Sequence, residues 1–331
     1  MQGNGLKKKL IIIIVFAIAV LLISPFIGSI KVPFSAMMDF DLTTIAAKIF
    51  YHIRLPRVLT AFLAGAALAC CGVALQAMFR NPLATPFTLG ISGGAAFGAA
   101  IYVIFAAAMP ICFGSVLFSF FGSLAAVLFV YGLTRIRKGF SVGTMLLAGI
   151  VVNFFFSSLI LLLQYISDFT QSFKIVRWLM GSVEVAGYST PLIMLIFTAL
   201  GVAIIIAQGA KLNLMSISDE IAIARGVNVK GTRKIVFFAT SIMVAGVVAF
   251  CGPIGFVGLM APHMCRLLVG HDHKILTPAS VLFGGGFLVL CDTIARTAIS
   301  PVEIPVGVIT ALLGGPFFVW LLLKDTGKSG L

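Results

Sequence analysis

Charged residues are scarce in this chain of 331 residues: Asp, Glu, Lys and Arg together make up 10% of the sequence, whereas hydrophobic residues make up 60%. Soluble globular domains contain roughly 25% charged residues. The mean hydropathy of +1.16 agrees with this difference. The composition excludes a soluble domain and predicts an all-α protein that crosses a membrane several times.

Paired cysteines and a complete nucleotide-binding loop are also missing. The six cysteines form no C-x-x-C pair and lie in apolar segments, so they indicate small core residues and argue against a zinc site or disulfide framework. The tail Lys324-Asp325-Thr326-Gly327-Lys328-Ser329 resembles the end of a phosphate-binding loop, but Leu322 stands where that motif requires glycine. We therefore expect that the chain binds no ATP, cofactor or metal and is not itself an enzyme.

Ten apolar segments are long enough to cross a membrane as helices, each needing about 20 residues. Charged residues or Pro and Gly clusters separate them, and the hydrophobic pattern runs evenly to the end, which predicts one compact membrane domain over 1–331. The predicted spans lie near 10–30, 58–79, 91–109, 114–134, 142–165, 189–208, 235–251, 254–270, 278–298 and 304–323.

The distribution of basic residues predicts the orientation, because Lys and Arg are retained on the cytoplasmic side of a membrane. If the N-terminus is inside, sixteen of the 23 Lys and Arg residues face the cytoplasm. Both termini and the segment 211–234 are then cytoplasmic. This asymmetry accounts for most of the net charge of +13, so we expect the lipid bilayer and no nucleic acid as a partner.

The segment 211–234 is the most charge-dense part of the chain and lies between two apolar runs. Ser218 is suited to cap a short helix with Asp219 and Glu220 in its first turn, and Gly226 is suited to end it. A polar helix on the inner surface could dock a soluble partner. A solvated connecting loop is the alternative.

Three arginines, Arg54, Arg57 and Arg296, fall on the outer side, where the positive-inside rule disfavours them. Such arginines can bind carboxylates on a partner through charge-assisted hydrogen bonds. Anchoring to lipid headgroups, or pairing with Asp292 and Glu303 of this chain, explains them equally well.

Three other patterns suggest different functions. Gly90-Ile91-Ser92-Gly93, with His263 on another span, matches the G-x-S-G of an intramembrane serine protease, but Ser92 lies near the cytoplasmic end of its span. The stretch His271-Asp272-His273 could bind a metal, although a solvated turn is the simpler interpretation. An ion-coupled secondary transporter should carry paired intramembrane carboxylates, and only Asp292 approaches the membrane interior.

Several long motifs resemble one family of membrane proteins. They are Arg54-Leu55-Pro56-Arg57, GAALACCGVALQAMFRNPLATPFTLGISGGAAFG from Gly65, RWLMGS from Arg177, LNLMSISDEIAIARGV from Leu212, GPIGFVGLMAPHMCRLLVGHDH from Gly252 and EIPVGVITALLGGPFFVWLLL from Glu303. In this order, over nearly the whole chain, they are similar to the FecCD-type permeases of ABC importers for ferric siderophores, haem and cobalamin.

The resemblance implies a type II ABC importer permease of the bacterial cytoplasmic (inner) membrane. Such a permease has ten spans, pairs with a second copy of itself, and imports a metal chelate. Two ATPase subunits, which bind ATP and Mg²⁺, sit on the cytoplasmic side, and one soluble binding protein docks on the outer side. Which chelate is carried stays open.

The resemblance also implies roles for individual residues. The three outer arginines would dock the binding protein, Asn153 would line the pathway, and two further sets would couple to the ATPase and close the cytoplasmic gate. The coupling set is Ser218, Asp219, Glu220, Ile221, Ala222, Ala224, Arg225 and Gly226; the gate set is Asn81, Pro82, Leu83, Ser141, Val142, Gly143 and Thr144.

Overall fold

The computed structural model describes residues 2–28, 30, 33, 37–39, 42–106, 114–136 and 142–326. Within these residues the fold is helical and contains no strand. A π-helical turn, Phe50–Arg54, leads into the third helix, and 3-10 turns cover Ser24–Phe26 and Pro86–Leu89. The α-helices are α1 (Gln2–Ile23), α2 (Ile45–Ile49), α3 (Leu55–Phe79), α4 (Ile91–Phe105), α5 (Gly114–Ile136), α6 (Val142–Ile166), α7 (Phe169–Leu179), α8 (Ser189–Ala207), α9 (Gly209–Met215), α10 (Asp219–Ala224), α11 (Val229–Cys251), α12 (Val257–Val269), α13 (His273–Ala295) and α14 (Val306–Thr326).

Ten of these helices correspond to the ten predicted spans. Helices α1, α3, α5, α6, α8, α11 and α13 are long and apolar enough to cross a membrane, and α4, α12 and α14 are shorter apolar helices. The prediction of an all-α, polytopic bundle is therefore confirmed.

Several predicted span boundaries differ from the helix ends, because polar residues begin some helices earlier and a proline-containing turn ends α1 sooner. Helix α11 begins at Val229 rather than 235, since the Asn228 side chain accepts a hydrogen bond from the Gly231 N–H at 2.9 Å. Helix α13 begins at His273 rather than 278 because Asp272 caps it through the Lys274 N–H at 3.0 Å. Helix α1 runs from Gln2 and ends at Ile23, before Pro25, rather than spanning 10–30.

Helix α3 forms the centre of the bundle, and nearly all of its residues are buried. Its small residues let neighbouring backbones approach closely. A Cβ atom added at Gly72 would lie 1.9 Å from the carbonyl oxygen of Gly258 on α12, and one at Gly65 would lie 2.2 Å from that of Gly284 on α13. Such contacts hold membrane helices together where lipid provides no hydrophobic drive.

The cysteines within the described residues are buried and free, as predicted for small core residues. They are Cys70, Cys71, Cys251, Cys265 and Cys291; Cys112 lies outside the described residues.

A second close contact joins α4 to α5. A Cβ added at Gly94 would lie 2.3 Å from the Gly122 carbonyl oxygen, and one at Gly122 would lie 2.2 Å from the Gly94 oxygen. Helix α6 packs on the turn before α4, where a Cβ at Gly149 would lie 2.1 Å from the carbonyl oxygen of Thr88. These crossings fix the position of α6 relative to the segment that follows α3.

The ten predicted spans do not include the short helices α7 and α9. Helix α7 begins with a capping box in which the Asp168 side chain accepts the Gln171 N–H at 2.8 Å and the Gln171 side chain accepts the Asp168 N–H at 3.3 Å. It leaves Phe169 and Phe173 exposed. Helix α9 continues the course of α8 after Gln208 and leads into the polar segment that contains α10.

Candidate functional site

Helix α10 has the boundaries that its sequence predicts. The Ser218 hydroxyl accepts a hydrogen bond from the Ile221 N–H at 3.0 Å, and the helix exits through Gly226, whose φ of +80° suits glycine. Backbone N–H groups at the helix N-terminus and the Ser218 hydroxyl lower the pKa of Glu220. A charged Glu220 suits this end of the helix dipole.

Asp219 connects α10 to two other parts of the bundle. Its carboxylate accepts hydrogen bonds from the Arg233 guanidinium at 2.7 and 2.9 Å, and the guanidinium of Arg80 lies 3.9 Å away. Arg233 is buried near the start of α11, whereas Arg80 ends α3 and directly precedes Asn81. Asp219 therefore places α10 beside the end of α3 and the start of α11.

The predicted coupling residues differ in exposure. Ala222 is buried against the bundle and Ile221 is 42% exposed; Ile223, which the predicted set omits, is 62% exposed. Exposed isoleucines beside charged residues form a mixed surface of the kind found at protein interfaces. The exposed members of the predicted set are Glu220, Ile221, Ala224, Arg225 and Gly226.

The segment Asn81–Leu83 forms a tight turn after α3. Arg80 has a left-handed φ of +50°, the Asn81 side chain accepts the Leu83 N–H at 2.9 Å, and the Leu83 side chain is 60% exposed. Arg80 thus lies between Asp219 of α10 and the turn that the Asn81 side chain stabilises.

The second part of the predicted gate lies at the start of α6. Val142, Gly143 and Thr144 form the first turn of this helix, and Ser141 lies outside the described residues. At Gly149, α6 packs against the turn at Thr88, which follows the Asn81–Leu83 segment by a few residues. The gate assignment itself stays a prediction.

Asn153 lies on the exposed side of α6. A Cβ added at Gly93 of α4 would lie 2.7 Å from the Asn153 side-chain oxygen, so only glycine fits there without displacing the amide. Helix α6 buries one stripe, which includes Met145, Val152 and Phe156, and exposes the rest of its surface. The predicted role of Asn153 in the pathway stays a prediction.

The three outer arginines point into the protein. Arg57 donates hydrogen bonds to Asp292 at 2.9, 3.1 and 3.1 Å and to Glu303 at 2.7 Å. Asp292 is fully buried, whereas the Glu303 side chain is 38% exposed. The pairing with Asp292 and Glu303, one of the open alternatives, is therefore present.

Arg296 and Arg54 are also buried and bind carbonyl and hydroxyl oxygens. Arg296 donates to the Ser24 carbonyl at 2.9 Å and to the Thr293 hydroxyl at 3.1 Å, and Arg54 donates to the carbonyls of Pro25 and Ile30. These contacts bind the ends of α1, α3 and α13 together. A docking role for the three arginines stays a prediction, and this arrangement does not present them to solvent.

The sequence His271-Asp272-His273 has a structural role. Asp272 caps α13 and accepts a hydrogen bond from the Asn213 amide at 2.7 Å, which lowers the pKa of Asp272. The Asn213 oxygen accepts the His273 N–H at 2.9 Å. No His, Cys, Asp and Glu cluster suited to a metal occurs among the residues that the structure covers. Asn213 was missed by sequence reasoning, because only the fold brings α9 and α13 together.

Ser92 and His263 lie in different surroundings. Ser92 is buried on α4 without a hydrogen-bond partner for its hydroxyl, while the His263 ring contacts Phe317 and Phe318 of α14, with ring centres 5.9 and 6.4 Å apart. The described contacts do not join the two side chains into a nucleophile and base.

Comparisons with known proteins agree with this architecture. Residues 13–324 match the FecCD transport family. The hemin transport system permease protein HmuU of Yersinia pestis is 36% identical over 96% of this chain and 94% of that protein. The molybdate import system permease protein MolB of Haemophilus influenzae is 37% identical over 91% and 88% of the two chains.

A solved structure of similar fold is described as an inward-facing conformation of a metal-chelate type ABC transporter. It is 34% identical, covers 96% of this chain and 99% of the solved chain, and superposes with a TM-score of 0.84. The chain belongs to the FecCD transport family and is a multi-pass membrane permease subunit of an ATP-binding-cassette importer.

Proposed function

We propose that two copies of this chain form the permease of an importer for a bulky metal chelate. Two ATPase subunits drive the dimer from the cytoplasmic side, and one soluble binding protein delivers cargo from outside. This chain binds no cofactor and hydrolyses no ATP; ATP and Mg²⁺ are bound by the ATPase. We place the complex in the bacterial inner membrane with both termini in the cytoplasm, as the distribution of Lys and Arg favours.

Two relatives support a metal chelate as the cargo, and a third supports an oxyanion. The hemin permease and the metal-chelate type transporter support a chelate. The molybdate permease is as similar in sequence, so an oxyanion is the competing cargo.

The proposed coupling to the ATPase is supported mainly by the contacts of Asp219 with Arg233 and Arg80. Helix α10 exposes Ile221 and Ile223 for docking, and Asp219 links the helix to the residue before the Asn81–Leu83 turn. An ATPase that favours different positions of α10 in its two states would therefore shift the equilibrium between an open and a closed turn.

Helix α6 supports a dimer with a central pathway. The remaining surface of α6, which includes Phe154, Leu161 and Leu162, is apolar and can face either lipid or a second copy of the chain. Asn153 adds a polar group to this surface. A second copy facing α6 would enclose a mildly polar path between the two subunits.

On the outer side, we propose that the binding protein docks at the charged cluster around Arg57. A carboxylate of that protein would replace Glu303, the more exposed of the two acidic partners of Arg57. Asp292 would stay paired, because a buried carboxylate is costly to leave without a cation.

The proposal is tested by reconstituting the permease with its ATPase and binding protein in liposomes. ATP hydrolysis should rise with a cognate chelate, such as haem, cobalamin or a ferric siderophore, and not with molybdate. If molybdate stimulates ATP hydrolysis and none of the chelates does, the cargo is an oxyanion. Full stimulation after deletion of 218–225 would exclude the proposed coupling role.

A further inference from the structure

Helix α12 begins with a strained turn at Phe256. This residue has a φ of +65° and a ψ of −31°, and the Val257 N–H donates to the Gly255 carbonyl at 2.8 Å. The hydrogen bond closes a γ-turn of the form with positive φ, which is rare and strained. A bulky residue is crowded in this conformation, whereas glycine tolerates it. Contacts from elsewhere in the fold must therefore hold Phe256 in place.

The ring of Phe256 rests on Gly314 of α14. A Cβ added at Gly314 would lie 2.3 Å from two ring carbons of Phe256, so the ring sits directly on the α14 backbone. The same ring packs against Phe318, one turn later on α14, with ring centres 6.4 Å apart. The contact of Phe256 with Gly314, here called the Phe256 latch, therefore joins the start of α12 to the middle of α14.

The Phe256 latch is bordered by open space. Gly255 and Gly315 adjoin its two members in sequence, and a Cβ added at either would meet no other part of the protein within 4 Å. Further along α14, Trp320 is 53% exposed. The surroundings thus leave room for the ring to move off Gly314.

The segment between α11 and α12 can absorb such a movement. Residues 252–255 form no helix, and Gly252 has a φ of +66° and a ψ of −175°, a combination that is essentially restricted to glycine. Hinges in proteins are short segments at the ends of elements, where a few residues take up large changes in φ and ψ. Residues 252–255 have this character and directly precede Phe256.

We infer that the Phe256 latch opens and closes during the transport cycle. In the closed arrangement, seen in this structure, the contact with Gly314 outweighs the backbone strain. In the open arrangement the ring leaves α14, and Phe256 relaxes to a negative φ. Strained backbone persists only where the surrounding structure enforces it, and it is common at switch regions. The inference rests on the proposed function, because the ATP-driven rearrangement of the bundle would move α14 against α12.

Fluorine NMR tests the latch on the full chain, assembled with its ATPase in nanodiscs. Phe256 is replaced by para-fluorophenylalanine, and spectra are recorded with and without ATP and vanadate, which trap the ATPase in one state. We expect two resonances whose ratio changes severalfold on trapping. The control is para-fluorophenylalanine in place of Phe237, which is fully buried on α11 and should give one unchanged resonance.

An uptake assay separates the failure of this inference from the failure of the proposed function. The same labelled permease is reconstituted in liposomes with its ATPase and binding protein. ATP-driven uptake together with an unchanged Phe256 resonance would overturn the latch and leave the proposed function intact. Equal changes at Phe256 and Phe237 would also overturn it, because the rearrangement would then not be local to the latch.

Two substitutions test whether the strain is released. Phe256→Ala and Phe256→Gly both remove the ring, but only glycine removes the strain of the positive φ. With para-fluorophenylalanine in place of Phe318 as the reporter, the ratio of closed to open arrangements should be about tenfold higher or more in Phe256→Gly than in Phe256→Ala. Equal ratios would show that the turn is equally strained in both arrangements, and the inference would fail.

A pair of neighbouring glycines tests the contact on α14. Gly314→Ala pushes the ring away and should shift the same reporter towards the open arrangement. Gly315→Ala changes the next residue, where an added Cβ meets no other atom within 4 Å, and should leave the ratio unchanged. No shift in Gly314→Ala, or an equal shift in Gly315→Ala, would contradict the latch.

Discussion

The Arg57 guanidinium donates three hydrogen bonds to the Asp292 carboxylate, although the two residues are 235 positions apart. Asp292 is fully buried, and Arg57 is 9% exposed. The pair joins the outer end of α3 to α13. Because both groups are withdrawn from water, each needs an opposite charge nearby. Arg57 makes the shorter contacts to Asp292, and Arg296 lies 3.8 Å from the same carboxylate.

Replacing Arg57 should therefore destabilise the fold strongly. Arg57→Met leaves Asp292 buried without its main cation, which costs about 3–5 kcal/mol in comparable cases. Denaturant unfolding of the purified permease measures the loss. The control is Arg177→Met, because the Arg177–Glu184 pair at 2.7 Å is 60% and 51% exposed. An exposed pair contributes about 0–1 kcal/mol. Equal losses in the two variants would contradict the assigned role of the buried pair.

Removing the charge of Glu303 should strengthen capture of the binding protein. Glu303→Gln frees one side of Arg57 for an incoming carboxylate, and we expect an affinity two- to fivefold higher, about the value of one partly exposed ion pair. The gain should shrink at high salt. Surface plasmon resonance measures the affinity of the binding protein for the permease in nanodiscs.

Glu184→Gln is the matched control for this experiment. It removes a carboxylate from another outer ion pair at the same 2.7 Å distance, without touching Arg57. A Glu303→Gln affinity that equals that of wild type, or a gain that Glu184→Gln reproduces, would exclude the proposed exchange at Arg57.

Asp219→Asn should uncouple the permease from its ATPase while the bundle stays folded. The change weakens the contacts of α10 with Arg233 and Arg80 but leaves the Ser218 cap in place. Cargo-stimulated ATP hydrolysis should fall roughly five- to 150-fold, the range of typical coupling free energies. Glu220→Gln changes the neighbouring exposed carboxylate and should retain stimulation. Retained stimulation in Asp219→Asn would show that these contacts do not transmit the motion.

Helix α6 supplies a steric test of the gate. Gly149→Ala places a Cβ 2.1 Å from the Thr88 carbonyl oxygen, so α6 must move away from that turn, at a cost of about 1–3 kcal/mol. Uptake should fall. Gly132→Ala on α5 meets no atom within 4 Å and should leave uptake near that of wild type. Normal uptake by Gly149→Ala would show that this crossing is not needed for gating.

Local chemistry explains which features the sequence predicts well. Ser218 and Gly226 define α10 because capping depends on residues within one turn of each other. The ten spans are predictable since each must present an apolar surface over its whole length.

Long-range contacts explain what the sequence does not predict. The spacing of Arg57 leaves docking, lipid anchoring and internal pairing equally open, and only the packing of α3 on α13 brings Asp292 to it. The same holds for Arg80 and Asp219, which appear in the sequence as separate cytoplasmic charges. Helix α7 is different, because its signals are local: Asp168 and Gln171 form a capping box, and Phe169 and Phe173 lie four residues apart on one face, but the segment is too short to be a span.

The most direct test of the account is uptake by liposomes that contain the permease, with and without its ATPase. With the ATPase, ATP and the binding protein, cargo should accumulate inside against its gradient, and Asp219→Asn should strongly reduce this accumulation. Without the ATPase no accumulation should occur, even with an ion gradient across the membrane. Accumulation by the permease alone would contradict the claim that its motion is driven through α10.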